Sequence, residues 1–328
     1  MAKGDFVNAR RQLYLDDESY KNTIAHIERE NLLNIAALDD DLTERGRMTT
    51  HDLIASNKWT IFQLKYTAGE TLSELANSLD EVVAAYEQYV EANEDMPDVD
   101  YYPPFVMNDM IDTYVDYLNL LCVAILLRRE DLIPRIYALN EGTDFDQIDA
   151  VLEELLKFFL PDRPELEEWL WNKPYRTLLD AIDSETPDEM TKEMKNYVKN
   201  WYKEMKGIAH FWGKHEKIKP EYTPYYGYWA MCAAAFTYLY NIDDSSYRSE
   251  TVYPKDLVNY ARSLRKIENA EYATSKPLRV EGGEICPKTG QWFAPAKADS
   301  QGHFSAGVIM PDFPDAQYGL TIWQWLGD

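Results

Sequence analysis

Five histidines and three cysteines limit the metal chemistry open to this 328-residue chain. His51-Asp52, joined by His26 upstream and Asp183 far downstream, offers two imidazoles and two carboxylates, a set that suits a divalent cation for phosphoester hydrolysis. His210 and His215 are five residues apart, which places them on different faces of a helix, unlike the i, i+4 pair of a zinc helix. Cys286 begins a Cys-Pro-x-x-Gly turn but has no second cysteine within reach, which excludes a zinc ribbon. Cys122 and Cys232 sit in apolar helical runs and read as small core residues, and an odd count without short spacings argues against a disulfide framework. No glycine-rich phosphate loop and no Gly-x-Ser-x-Gly elbow is present. No metal, no cofactor and no catalytic residue is therefore expected, and the chain does not read as an enzyme.

The carboxylates are the dominant chemical resource. From Tyr66 to Leu127 there is no Lys, Arg or His, while thirteen acids occur: Glu70, Glu74, Asp80, Glu81, Glu87, Glu91, Glu94, Asp95, Asp98, Asp100, Asp109, Asp112 and Asp116. The window contributes −13 of a formal net charge of −24. A surface without balancing cations repels itself and projects a one-signed field toward a basic partner; the simpler role is a solvated face that favours solubility. Paired carboxylates serve glycosidase chemistry only where a pocket raises one pKa, and these read as solvated and mutually unbalanced.

The elements that would carry these groups are helical from about residue 17 to about residue 265. Helices are expected at about 17–42, from Thr49-Thr50 as N-caps, at 69–93, at 105–128, at 129–140, 145–159, 165–182 and 187–206, then at 224–241 and from Tyr253-Pro254 to about Leu264. On the third of these Leu72, Leu75, Leu79, Val82, Val83, Tyr86 and Val90 share one arc, and Asp80, Glu87, Glu91 and Glu94 flank it. On the fourth, Ile111, Tyr114, Val115, Leu118, Leu121, Cys122 and Ile125 form the stripe, with Asp109, Asp112 and Asp116 on the opposite face. After about Lys276 glycines and short β-type runs (291–293, 304–309, 320–325) predict a small β-rich tail. The fold class is thus all-α: packed antiparallel helices in one body, with a β-rich C-terminal appendage. The expected organisation is an acidic helical region at 1–140, a second helical region at 141–270 and the small module at 271–328. No run reaches the ~18 uncharged apolar residues of a membrane span, and Met1-Ala2-Lys3-Gly4-Asp5 lacks the apolar core of a secretory signal. A cytoplasmic protein follows, and its pI near 4.6 argues against direct nucleic-acid binding.

The aromatic segment 222–262 is more specific than its surroundings. It contains Tyr226-Gly227-Tyr228-Trp229, the small residues Ala233 to Ala235, the stop Ile242-Asp243-Asp244-Ser245, and a second helix start Tyr253-Pro254-Lys255-Asp256-Leu257-Val258 running to Arg262. As bare physics this is a helix–loop–helix packing core. As a pattern it resembles the signature of the immunity proteins that protect bacteria from polymorphic nuclease toxins, the PoNi-like partners of PoNe-type DNase toxins. The resemblance implies an all-α cytoplasmic protein that binds and neutralises a cognate DNase toxin, often one delivered between cells by a contact-dependent (type VI) secretion system. The signature residues Tyr226, Gly227, Tyr228, Trp229, Asp243, Asp244, Tyr253, Pro254 and Asp256 then read as scaffold. The tail from Cys286 to Trp325 is similar to a terminal module on some toxin-immunity proteins.

A nuclease presents a basic groove to DNA, and a dense acidic surface can compete for it. The candidate toxin-binding set is Asp80, Glu87, Glu91, Glu94, Asp95, Asp98, Asp100, Asp109, Asp112 and Asp116, with Tyr101, Tyr102 and Phe105 as anchors. Two other functions stay open at this point: an acidic helical adaptor for another basic protein, and a metal-dependent phosphohydrolase built on His51-Asp52. A homodimer is compatible with the sequence.

Overall fold

Asp16 opens the first long helix, its carboxylate accepting from the backbone N–H groups of Glu18 (3.1 Å) and Ser19 (2.9 Å). The computed structural model describes residues 3–94, 102–275, 278–295, 297, 300–313 and 321–327. The chain divides into two compact units, Met1–Leu264 and Arg265–Asp328.

In the first unit a short helix α1 (Lys3–Ala9) precedes α2 (Asp17–Ala37), α3 (Glu44–Ala68) and α4 (Leu72–Glu94), which pack one against the next. The buried face of α2 is Ser19, Thr23, Ile27 and Asn31; of the stripe that helical spacing predicts here (Ile24, Ile27, Asn31, Ile35 and Leu38), Ile27 and Asn31 are buried, Ile24 and Leu38 are half-buried against the core, and Ile35 is 48% exposed. The difference has a polar cause. Thr23 Oγ1 accepts from the Thr223 N–H (2.8 Å) and Asn31 Oδ1 from Asn57 Nδ2 (3.0 Å), so small polar groups face inward where partners wait for them. Helix α3 is capped by Thr43, whose Oγ1 accepts from Gly46 N–H at 3.1 Å. The expected caps Thr49 and Thr50 lie inside the helix and return their hydroxyls to the carbonyls of Arg45 and Gly46. Helix α4 follows a Thr71 cap, the Glu74 N–H donating to Thr71 Oγ1 at 3.3 Å, and buries Leu75, Leu79, Val82, Val83 and Tyr86 as its arc predicted.

Helix α5 (Ile111–Leu126) is the centre of this unit. Tyr114 and Tyr117 to Leu126 are buried apart from Asn119, the pattern of a helix enclosed on nearly all sides. It starts at Ile111 rather than near Phe105. Helix α6 (Ile133–Ala138) and α7 (Ala150–Leu156) follow, then the hairpin of α8 (Asn172–Ile182) and α9 (Pro187–Glu204). Helix α10 (Met231–Leu239) lies against α5, with Ala233, Ala234 and Ala235 fully buried and the thiols of Cys122 and Cys232 3.7 Å apart. Helix α11 (Lys255–Ser275) begins after Pro254 and runs past the expected end at Leu264. No helix among the described residues is long and apolar enough to cross a membrane.

The second unit holds a four-stranded antiparallel sheet in the order β1-β4-β2-β3, with β1 Arg279–Glu281, β2 Gly290–Phe293, β3 Gly302–Phe304 and β4 Ile322–Gly327. Its small core is Trp292, Trp323, Cys286, Met310, Val280 and Ala294. Both indoles are satisfied, Trp292 Nε1 by the Lys288 carbonyl (3.0 Å) and Trp323 Nε1 by that of Pro311 (2.7 Å). The expected combination, a helical body and a small β-rich tail, is present in this coarse form.

Candidate functional site

Cationic partners from outside the acidic window alter its electrostatics. Arg135 Nε and NH2 contact the two oxygens of Glu87 at 2.7 Å, and its NH1 contacts Asp80 at 2.5 Å. These contacts hold the guanidinium charged well above its ordinary range. Arg129 stands 3.9 Å from Asp80, and Lys58 reaches Glu81 at 3.5 Å. Tertiary folding thus supplies cations that the local sequence lacks, and the expectation of an unbalanced surface is corrected for Asp80, Glu81 and Glu87. Glu91, Glu94 and Asp109 are exposed. Tyr102 is also exposed, and its carbonyl accepts from Tyr89 Oη (2.8 Å) and Asn93 Nδ2 (2.7 Å). Phe105 is a core residue, 2% exposed, with its ring 4.7 Å from Tyr86 and 5.1 Å from Tyr117. Asp95, Asp98, Asp100 and Tyr101 lie outside the described residues.

Asp112 and Asp116 face protein rather than open solvent. Asp112, Val115, Asp116 and Asn119 follow helical i, i+3, i+4, i+7 spacing on one face of α5. That face lines a cavity of about 480 Å³ between α3, α5, the 201–214 region and the segment 222–231. The Asp112 carboxylate accepts from the backbone N–H groups of His210 (2.9 Å) and Phe211 (3.0 Å), pinning that loop to α5. Asp116 Oδ1 accepts from Trp59 Nε1 at 2.8 Å and Gln63 Nε2 at 3.4 Å. Loss of hydration pushes its carboxyl up to about 7, against the two hydrogen bonds that favour the ionised form. The residue keeps a partial opening to solvent through the cavity.

The opposite wall is the Tyr-Gly-Tyr-Trp signature. The expected helix from Pro224 to Asn241 is helical only from Met231; residues 222–230 run without regular helix. Gly227 has φ +116°, outside the helical region, and an added Cβ would stand 2.2 Å from Trp229 Nε1 and 2.4 Å from Thr67 Oγ1. Side chains from the N-terminal third replace the missing helical bonds. Gln12 Nε2 donates to the Tyr228 carbonyl (2.6 Å), while Gln12 Oε1 accepts from the Tyr228 N–H (2.9 Å) and the Tyr225 hydroxyl. Thr67 Oγ1 donates to the Tyr226 carbonyl (2.6 Å) and accepts from Trp229 Nε1 (3.0 Å). The Tyr228 hydroxyl accepts from the His215 N–H at 3.0 Å. At the mouth the hydroxyls of Tyr222 and Tyr226 are 3.1 Å apart, and burial raises the Tyr226 phenol. Trp59 stacks on Phe62 with centroids 5.5 Å apart, and Tyr66 meets Trp229 edge-on at 5.0 Å.

The rest of the signature ties helices together. Asp244, 5% exposed, binds Arg248 (2.6 Å), Arg262 (3.1 Å) and the Tyr253 hydroxyl (3.1 Å). Asp256 accepts from Tyr66 Oη (2.8 Å) and pairs with Arg11, joining α11 to α3 and the N-terminal segment. Asp243 closes a local turn on Ser245, and Pro254, buried, precedes α11.

The phosphohydrolase set does not assemble. His51 is half-buried with Nδ1 unbonded, and its pKa is lowered by burial and by Arg47; Asp52 is exposed; His26 pairs with Arg29; Asp183 ends α8. Among the described residues no group of three or more His, Cys, Asp or Glu is placed to hold a metal ion. The sequence alone does not reveal the cavity. Its one available signal is that Asp112, Asp116 and the aromatic signature both sit beside apolar helices, but their meeting is a long-range event.

Residues 147–257 match the family model described as PoNe immunity proteins (PoNi), C-terminal. The match contains the signature from Tyr226 to Leu257, and the family read from those residues is borne out. The crystal structure of protein PA2201 from Pseudomonas aeruginosa is similar in fold, with a TM-score of 0.59 and 23% identity over 80% of this chain and 96% of that one. No curated protein matches the chain.

Proposed function

Starting from the match to PoNe immunity proteins, we propose that this chain is an immunity protein that binds a cognate DNase toxin and neutralises it by covering its active site or DNA groove. The observation that carries the reading is the family match over 147–257, with the Tyr226–Trp229 signature built into a cavity wall. The net charge of −24 supports it, since a DNA-cleaving surface is basic and an acidic inhibitor gains association rate from the matching field. Glu91, Glu94 and Asp109, exposed and without ion pairs among the described residues, are the steering charges. The protein acts by binding and requires no cofactor.

The test pairs this protein with the toxin domain encoded beside its gene. Co-expression should rescue toxin-bearing cells, and the purified proteins should form a complex whose association slows with salt. Reversing Glu91, Glu94 and Asp109 to Lys should slow association and flatten that dependence while leaving the fold intact. No complex and no rescue would refute the reading in favour of an adaptor for some other basic protein.

A further inference from the structure

Asp116 presents an unresolved charge. The groups that interact with it electrostatically include Trp59, Gln63, Asp112, Tyr86 and Tyr226, none of these cationic, and both of its hydrogen bonds end on Oδ1. Among the described residues no donor reaches Oδ2. A largely desolvated carboxylate with one oxygen outside the protein's own hydrogen bonds gains from a proton or a positive partner. The space beside it is about 480 Å³, within the size range of ligand sites. Aromatic rings make up much of its walls (Trp59, Tyr66, Trp201, Phe211, Tyr226 and Trp229), and His210 and Lys214 also line it. Aromatic faces attract cations, and the attraction grows where water is excluded.

We propose that this cavity is a socket for a guanidinium group, and that in the complex the group is an arginine side chain of the toxin. The second half rests on the function proposed above; the first does not. A guanidinium fits better than an ammonium because it is flat, weakly hydrated, stacks on rings and carries five N–H donors that need acceptors. Asp116 Oδ2 and the paired hydroxyls of Tyr222 and Tyr226 at the mouth provide acceptors of both charged and neutral kinds. Insertion of a basic side chain into a desolvated aromatic pocket is the geometry of an interface anchor, which acts on dissociation rather than on encounter. A nuclease surface built to hold phosphates has such side chains on offer.

The test uses Nα-acetyl-arginine methylamide and its neutral near-isostere, the citrulline counterpart, titrated calorimetrically into the full-length protein. Arginine should bind saturably and citrulline about tenfold more weakly or worse, since a charge-assisted contact is the difference between them. Asp116→Asn, which preserves the Oδ1 acceptor, should abolish the preference, and Lys214→Ala, which removes a cation from the lining, should strengthen it. The arginine–citrulline comparison on the wild type needs no variant to fold. Equal binding of the two probes, or no binding of either, overturns the socket. In the second arm, toxin dissociation is compared for the wild type and Asp116→Asn, with an expected acceleration of about tenfold. If arginine is preferred but toxin dissociation is unchanged, the cavity takes a free small cation and the toxin assignment is overturned. If the wild type binds no toxin, the proposed function fails while the titration still decides the socket.

Discussion

Replacing Asp116 with Asn isolates the energetic consequence of the buried carboxylate. Its pKa moves from 3.8 to about 7 on folding, chiefly through lost hydration. Between those values the folded protein binds more protons at this site than the unfolded chain does. The group therefore lowers the unfolding free energy as pH rises from about 4 to about 7. The shift corresponds to roughly 4 kcal/mol at pH 8, at about 1.36 kcal/mol per pKa unit. That figure is a ceiling, because water entering through the cavity mouth reduces it. Asn keeps the Oδ1 acceptor for Trp59 and Gln63 and carries no charge. The variant should match the wild type near pH 4 and exceed it progressively above pH 5, with the difference levelling off near pH 8. Urea denaturation followed by far-ultraviolet circular dichroism reports on the helical unit, and subtracting the two proteins cancels groups that do not interact with Asp116, leaving its own contribution together with its coupling to Asp112 and Tyr226. A difference that does not change with pH, or a variant less stable at pH 8, would refute the reasoning.

Other perturbations test the scaffold and the charge pattern. Gly227→Ala places a Cβ against Trp229 and Thr67 at a positive φ; a loss of about 2 kcal/mol or more, with a lower melting temperature, is expected. Asp244→Ala leaves Arg248 and Arg262 without their shared carboxylate, and about 3 kcal/mol should be lost in denaturant unfolding. Arg135→Ala should change stability by less than about 1 kcal/mol, because its pairs with Asp80 and Glu87 are solvent-screened. It should also speed association with a basic partner at low salt, by freeing two acids; slower association would place the contact surface elsewhere.

Helical character, the β-rich tail, the buried stripes of α4 and α5, and the core role of Cys122 and Cys232 were all legible from period and composition. These depend on local rules: an apolar residue every third or fourth position needs a partner surface whatever that surface is. The signature around Tyr226 was legible as a pattern, and the family match agrees with it. Its conformation was not. Alanines and aromatics suggested a helix starting at Pro224, whereas Gln12 and Thr67, distant in sequence, hold residues 222–230 in an irregular path. The count of thirteen acids was likewise certain from the sequence, but not their state. Arg135 pairs with two of them, the loop at His210 engages a third, and the aromatic cavity desolvates Asp116. Charge is a property of the residue; whether it faces water, a cation or a ring is settled by contacts between segments that only the folded chain brings together.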